Sequence, residues 1–281
     1  YIFDIKYYLY GTFRADGSSK YQQKWGYFPN FGAGWVLSSE QFMQGIGFLD
    51  FLKLRANWGQ LGNDKIQPAA GTQTTQVVQT AIGGELVSGT QRSGTYSVLE
   101  WELVEETDFG ITATMLDSRL NIDADYYIRD TKNAAISVQI PLKGGVTLKN
   151  QGQIRNSGIE VSLDWKDDLS GNWRYSIGGN LSTLQNEVLD LYGQPYLNGG
   201  TATFRQRSII GEPLLAFYGW EVAGVYQNTQ EIENDPIAQD NDLVPGDFKY
   251  VDQNNDDVID DDDRVVLGSY FPSLKYGFNF S

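Results

Sequence analysis

The chain has 281 residues, 14% aromatic and 41% hydrophobic, with a formal charge of −15, no cysteine and no histidine. That aromatic content excludes a disordered acidic chain, acidity without a basic stripe excludes nucleic acid as a partner, and the lack of histidine removes His triads and His metal ligands. Mean hydropathy is −0.38 and no run approaches the roughly 18 apolar residues of a membrane helix, whereas β-strands that are apolar at every second residue stay open.

Tyr1-Ile2-Phe3-Asp4-Ile5-Lys6 reads as strand with no signal peptide before it, so the sequence is expected to begin inside a domain. Ile5 to Ala15 alternates, with Lys6, Tyr8, Tyr10, Thr12 and Arg14 on the wetter face. Phe28 to Leu37, rich in glycine and aromatics, reads as strand. Ser39 to Gly47 is the one expected helix, with Ser39 as N-cap and Glu40 in the first turn. Leu52 to Trp58 and Thr107 to Met115 alternate again. In Arg119 to Arg129, Leu120, Ile122, Ala124, Tyr126 and Ile128 oppose Asn121, Asp123, Asp125, Tyr127 and Arg129. Gly158 to Trp165 sets Ile159, Val161, Leu163 and Trp165 against Gly158, Glu160, Ser162 and Asp164. Trp173 to Ser182 does the same with Trp173, Tyr175, Ile177, Gly179 and Leu181. Thr203 to Ile210, Phe217 to Tyr226 and Ser273 to Phe280 complete about ten candidate strands. The last runs to Ser281 without a cap, so the sequence is also expected to end inside a domain.

The connections alternate in length. Leu116 to Ser118, Lys166 to Asn172 and Gly211 to Pro213 are short; Gln60 to Glu100, Thr131 to Lys149, Val188 to Ala202 and Gln227 to Phe271 are long. Outer-membrane barrels carry short periplasmic turns and long extracellular loops. Hairpin parity then puts the short set at one end, with the expected helix, and the long set at the other. Trp165 and Trp173, on apolar faces either side of one turn, suit an interfacial aromatic girdle. A soluble sandwich with its apolar face inward also alternates, and on these residues alone both readings stand.

Ordered local patterns add a resemblance. Arg14-Ala15-Asp16-Gly17-Ser18-Ser19-Lys20, Trp25-Gly26-Tyr27-Phe28-Pro29-Asn30 and Gly34-Trp35 are followed by Leu52-Lys53-Leu54-Arg55-Ala56-Asn57-Trp58-Gly59-Gln60-Leu61-Gly62-Asn63. Then come Trp101-Glu102 with Asp108-Phe109-Gly110, Asp125-Tyr126-Tyr127 with Thr131-Lys132, and Asn150-Gln151-Gly152 with Asn156-Ser157-Gly158-Ile159-Glu160. Gly211-Glu212-Pro213, Phe217-Tyr218-Gly219-Trp220 and Pro245-Gly246-Asp247-Phe248-Lys249-Tyr250 close the series. In this order they resemble the SusC/RagA-like TonB-dependent importers over almost the whole chain. The resemblance implies an all-β fold: an antiparallel transmembrane β-barrel of about 22 strands, of which residues 1–281 supply about half as a fragment of a longer chain. The plug domain and TonB box are absent from this sequence. It further implies the outer membrane of a Gram-negative, Bacteroidota-like cell, with lipid around the barrel. The expected activity is active import of a large nutrient, an oligosaccharide or else a peptide. The partners would be a SusD-like surface lipoprotein and TonB, reached through the missing N-terminal part. The alternative is a barrel that serves as a structural scaffold in a larger outer-membrane assembly.

No constellation reads as catalytic, and an enzyme is not expected. Asp123 and Asp125 share one strand face with other polar residues, and neither a phosphate loop nor a nucleophile elbow is present. One loop has metal spacing. Asp252, Asn254, Asp256, Asp260 and Asp263 supply side-chain oxygens at positions 1, 3, 5, 9 and 12, with the Val258 carbonyl at position 7 and apolar Ile259 after it. This is an expected calcium site. It departs from the usual loop in having Asp257 where glycine is preferred and Asp263 in place of Glu.

Overall fold

Period-two alternation requires a sheet with two different environments on its faces, and these residues build one. The computed structural model describes residues 1–65, 74–93, 99–139, 146–169, 173–201, 204–238 and 242–281. The chain divides into two units, Tyr1–Gln194 with Pro272–Ser281, and Pro195–Phe271.

The first unit contains β1 (Ile2–Phe3), β2 (Tyr7–Gly17), β3 (Trp25–Val36), β4 (Leu49–Asn63), β5 (Thr74–Ile82), β6 (Glu85–Ser93), β7 (Glu102–Met115), β8 (Leu120–Gln139), β9 (Val146–Leu169), β10 (Trp173–Thr183) and β11 (Gln185–Leu191). The second holds β12 (Tyr196–Gly200), β13 (Arg205–Ile209), β14 (Ala216–Trp220), β15 (Val222–Val225), β16 (Phe248–Tyr250) and β17 (Arg264–Gly268); β18 (Leu274–Phe280) returns to the first. The main sheet is antiparallel, ordered β1-β2-β3-β4-β7-β8-β9-β10-β18, with β11 paired to β9 where β10 ends.

The register puts like with like. Across β4, β7, β8, β9, β10 and β18 one face carries rows such as Leu54, Ile111, Ala124, Val161, Leu181 and Tyr276. The other carries Arg55, Gly110, Asp125, Glu160, Ser182 and Lys275. The apolar face is left uncovered: Phe13, Phe31, Phe109, Ile159, Ile177 and Phe278 are all exposed, the last by 85%. A soluble sandwich would bury them. On β8 the apolar set runs eight steps from Leu120 to Ile128, about 26 Å at ~3.3 Å per residue. Tilted by ~40°, that is about 20 Å of height, near the ~25 Å apolar band of an outer-membrane barrel.

Beyond Ile128 the same face turns charged. Lys132 meets Glu105 at 2.8 Å, and Arg155 grips Asp130 through two 2.7 Å bonds. The 20 residues of β8 and 24 of β9 therefore run past the belt, and the ion pairs mark its edge. At the opposite edge Trp165 donates to the Tyr175 hydroxyl at 3.2 Å, and Trp173 is exposed. This is the girdle position read from the sequence.

Leu116 to Ser118 is the expected tight turn, with left-handed backbone at all three residues (φ 61, 58 and 63). It shares an end of the sheet with the β3–β4 connection and with the tips of β9 and β10. The β4–β7 connection lies at the other end, as parity requires.

Several expectations are corrected. No helix forms over Ser39–Gly47. Two 3-10 turns, Leu37–Ser39 and Gln41–Met43, take its place, and neither has a side-chain cap. Glu40, expected in the helix's first turn, is instead tied to the strands: its Oε1 accepts from Tyr7 Oη (2.7 Å) and Trp35 Nε1 (3.0 Å). These bonds, the tyrosine's first, hold its carboxyl below the usual range. Gln60 to Glu100 is not bare loop, because β5 and β6 form a hairpin on Gly83-Gly84, both at positive φ. That is the glycine pair a two-residue turn favours. Thr131 to Lys149 is mostly strand, with a bulge where Asn133 turns left-handed. Its residues 140–145 and the turn residues 170–172 lie outside the described ones. Val188 to Ala202 holds the end of β11, with Val188 and Leu191 buried, and β12.

The candidate strands at Thr203–Ile210 and Phe217–Tyr226 form, but not in the main sheet. β12, β13, β14 and β17 make a separate four-stranded sheet, and β15 pairs with β16 alone. These strands have three to five residues, too short for the 9–11 a membrane strand needs. Gly211-Glu212-Pro213 breaks between β13 and β14, and Glu221 between β14 and β15. One short helix, α1 (Thr229–Glu233), is capped by the Asn228 side chain on the Glu231 N–H.

Candidate functional site

The polar face of the main sheet is a cross-linked wall. Arg55 on β4 points across β7 to β8, where it pairs with Asp123 and Asp125 and donates to Thr112. Its bonds to Asp125 are 2.5 and 2.7 Å from Nη2, with Nε at 3.1 Å. The register explains the reach. Arg55 faces Gly110, which faces Asp125, and a Cβ on Gly110 would lie 2.2 Å from Asp125 Oδ1 and 2.3 Å from Arg55 Nε. The glycine of Asp108-Phe109-Gly110 is thus the gap through which two strands exchange an ion pair. Gly158 plays the same part for Tyr127: a Cβ there would sit 2.9 Å from the Tyr127 hydroxyl and 2.0 Å from the Thr183 carbonyl.

Tyr10 donates to Asn57, Asn57 to Asp108, and Arg129 to Glu106, at 2.9, 3.0 and 2.7 Å. A concavity of about 330 Å3 opens between Arg55, Glu106, Asp125, Tyr127, Arg129 and Glu160. Each of these strand carboxylates that is hydrogen-bonded accepts from a fixed donor. Such a surface suits a wet wall that positions charge. Sequence reading placed Asp123/Asp125 and Glu160/Asp164 on polar faces but missed which pairs meet. The signal was the glycine opposite both partners.

At the end of the sheet carrying the β4–β7 connection, Tyr21, Phe28, Leu99 and Trp101 form a buried cluster. Trp101 packs on Tyr21 and Phe28 at ring distances of 4.7 and 5.6 Å, which gives the Trp101-Glu102 motif a structural role.

In the second unit, a smaller core of Tyr226, Ile232 and Ala238 surrounds a buried polar pin. Tyr226 and Lys249 both reach Asp235 Oδ2, at 2.9 and 2.6 Å. Burial first, then the Asp235 bond, pushes the Tyr226 hydroxyl up to about 12. Burial also works against the Asp235 carboxylate, but the Lys249 and Tyr226 bonds outweigh it and leave that group below its usual range.

The acidic loop is wound on its own backbone. Asp252 accepts from the N–H groups of Asn255, Asp256 and Asp257; Asn254 from Asp256; Asp256 from Val258; Asp260 from Asp262. Asp263 is fully buried, and its two oxygens accept from Gln253 and Asp260. These backbone donors, led by Asp260, hold its carboxyl low. Asp257 is left-handed at φ 65, as its place in the glycine position anticipated. Among the described residues no group of three or more acidic side chains is placed to share a metal ion.

Comparison with known proteins supplies the family. A model described as TonB dependent receptor-like, beta-barrel matches residues 3–278. The TonB-dependent receptor P26 of Formosa agariphila is 32% identical over 290 residues, covering 99% of this chain and 29% of that protein. The TonB-dependent receptor SusC of Bacteroides thetaiotaomicron is 26% identical, covering 91% and 26%. Among solved structures, the RagAB peptide transporter matches with a TM-score of 0.77 at 21% identity, and the open-open state of that importer with 0.79 at 22%. Each match covers 99% of this chain and 30% of the other. The chain therefore spans under a third of the length of the relatives it matches.

Proposed function

Because this chain belongs to the TonB-dependent receptor-like β-barrel family of the outer membrane, whose members are transporters and receptors and not enzymes, we propose that it forms part of the wall of an active importer of large nutrients. An oligosaccharide is the first choice of cargo and a peptide the second. The observation that carries the reading is the two-faced main sheet, with a bare apolar belt on one side and an ion-paired polar face on the other. A wide barrel needs lipid outside and water inside, and this sheet separates the two.

In this reading residues 1–281 supply barrel strands and loops. The plug and TonB box lie elsewhere in the full-length protein, and a SusD-like lipoprotein captures cargo at the surface. The likeness in fold to the structure of the RagAB peptide transporter favours import over a scaffold role. Calcium at Asp252, Asn254, Asp256, Val258, Asp260 and Asp263 is part of the proposal. The closed loop and left-handed Asn255 and Asp257 support it, with the carboxylates turning from N–H groups to the ion.

The test is uptake by cells carrying the full-length gene, a deletion, or a TonB-uncoupled version. Growth on an oligosaccharide or peptide lost in both altered strains supports the importer. Unchanged growth on every such nutrient, with disturbed assembly of other surface proteins, supports the scaffold instead.

A further inference from the structure

We propose that Arg207 is a recognition point for a carboxylate on the cargo; this deepens the importer reading and rests on it. The residue lies mid-sheet on β13, opposite Asn198 on β12 and Ala216 on β14. Its guanidinium is held between two tyrosine rings from the strands on either side, 4.0 Å from the Tyr196 centroid and 3.9 Å from that of Tyr218. Nε donates to Asn198 Oδ1 at 3.3 Å. Two rings and the Nε edge are thereby engaged, and among the described residues the fork of Nη1 and Nη2 is the part left to bind.

The surroundings make this arrangement informative. Residues 195–271 carry fifteen Asp and Glu against four Lys and Arg, so carboxylate partners are plentiful. The other cations have them. Arg264 meets Asp261 at 2.8 Å, Arg205 lies 3.8 Å from the same residue, and Lys249 pairs with Asp235. Among the described residues Arg207 has no carboxylate partner. An arginine fixed by stacking loses little further freedom on binding, and its planar fork matches a carboxylate bidentately. Tyr196, 40% exposed, keeps one end of the stack open to solvent.

The ligand class is therefore a molecule bearing a free carboxylate, from a uronic-acid oligosaccharide or a peptide terminus. The experiment measures binding to the purified full-length protein in detergent, with matched probes: a uronic-acid oligosaccharide against its carboxyl-reduced neutral form, and a peptide against its C-terminal amide. Wild type should prefer the carboxylated member of one pair, and that pair names the source. Loss of a charge-assisted bidentate contact corresponds to roughly ten- to a hundredfold in affinity. Arg207→Gln should lose the preference by about that factor while binding the neutral member unchanged.

Arg207→Lys keeps the charge and guards against a folding defect. It should retain a reduced preference, since an ammonium cannot form the fork. Wild type without preference in either pair, or Arg207→Gln with its preference intact, overturns the proposal. Because the assay reads binding and not uptake, that failure would leave the importer standing. Unchanged growth of the deletion strain on every such nutrient, with the binding preference intact, would do the reverse.

Discussion

Replacing Arg55 with methionine tests whether the polar face is held by designed ion pairs or merely decorated with charge. The Arg55 and Asp125 side chains are each 25% exposed and Asp123 is 45% exposed, so the network is half wet. Charge-assisted hydrogen bonds contribute about 1.5–3 kcal/mol when sheltered, and exposed ion pairs only about 0–1. Arg55 makes several such bonds at intermediate depth. Its removal also leaves two carboxylates on neighbouring polar positions without a cation. We expect Arg55→Met to cost roughly 2–4 kcal/mol. Adding Asp125→Asn should return about 1 kcal/mol, because neutralising one of the two carboxylates removes their mutual repulsion. Lys53→Met is the control: Lys53 shares the face, but its contact is the Tyr8 ring at 4.7 Å, worth about 0.5–1 kcal/mol. The assay is urea unfolding of the full-length protein in lipid vesicles, followed by tryptophan fluorescence. Equal losses for Arg55→Met and Lys53→Met, or a further loss on adding Asp125→Asn, would refute the reasoning.

Gly110→Ala should damage the same network from the other side, costing about 1–3 kcal/mol by overpacking, and a neutral result in the same unfolding assay would deny the gap its role. Val161→Arg, mid-belt, should cost roughly 2–4 kcal/mol, whereas Trp173→Arg at the rim should cost about 0–1; equal costs would erase the depth dependence. The Tyr226 hydroxyl is raised to about 12, so the stability it adds is complete below the ordinary value of 10.0 and is lost as pH rises toward 12. Asp235 is lowered from 3.8, so its share is present above that value and lost as pH falls below it. Ultraviolet titration of wild type against Tyr226→Phe should show one tyrosine ionising late, and no such difference would remove the pin. Calcium should raise the melting temperature of wild type but not of Asp252→Ala or Asp256→Ala; identical responses would mean the acidic loop takes no ion.

Much of the main sheet was legible because alternation is a local signal. Leu120 to Ile128 and Ile159 to Trp165 each state their face without help from the rest of the chain. What stayed hidden was set by pairing. Thr131 to Lys149 reads as a long connection, yet it continues β8 and β9 past the belt, with Ala134 and Ile136 buried and a bulge at Asn133 interrupting the alternation. Glycine misled in a similar way. Gly110 and Gly158 look like weak points in strands, and only the register shows the Arg55 and Tyr127 side chains filling their space. The expected helix at Ser39 failed because Glu40 had stronger partners, Tyr7 and Trp35, from a strand thirty residues earlier and from β3. Of the short strands of the second unit, β13, β14 and β15 were seen but assigned to the wrong sheet, while β12, β16 and β17 fell in segments read as long connections; length alone separates a membrane strand from a loop strand. Arg207 escaped notice because a cation between two tyrosines is a three-strand property.

One face of the main sheet meets lipid and the other water. Residues 1–281 contain no cysteine; in a full-length protein cleared of any cysteine elsewhere, single cysteines can be placed along β9 at positions 160 to 163 in the native membrane. Glu160→Cys and Ser162→Cys should react with a small polar thiol reagent, while Val161→Cys and Leu163→Cys should resist it and, once spin-labelled, show the oxygen-rich, nickel-poor environment of a bilayer. The opposite phase, or four positions that react alike, would contradict the account.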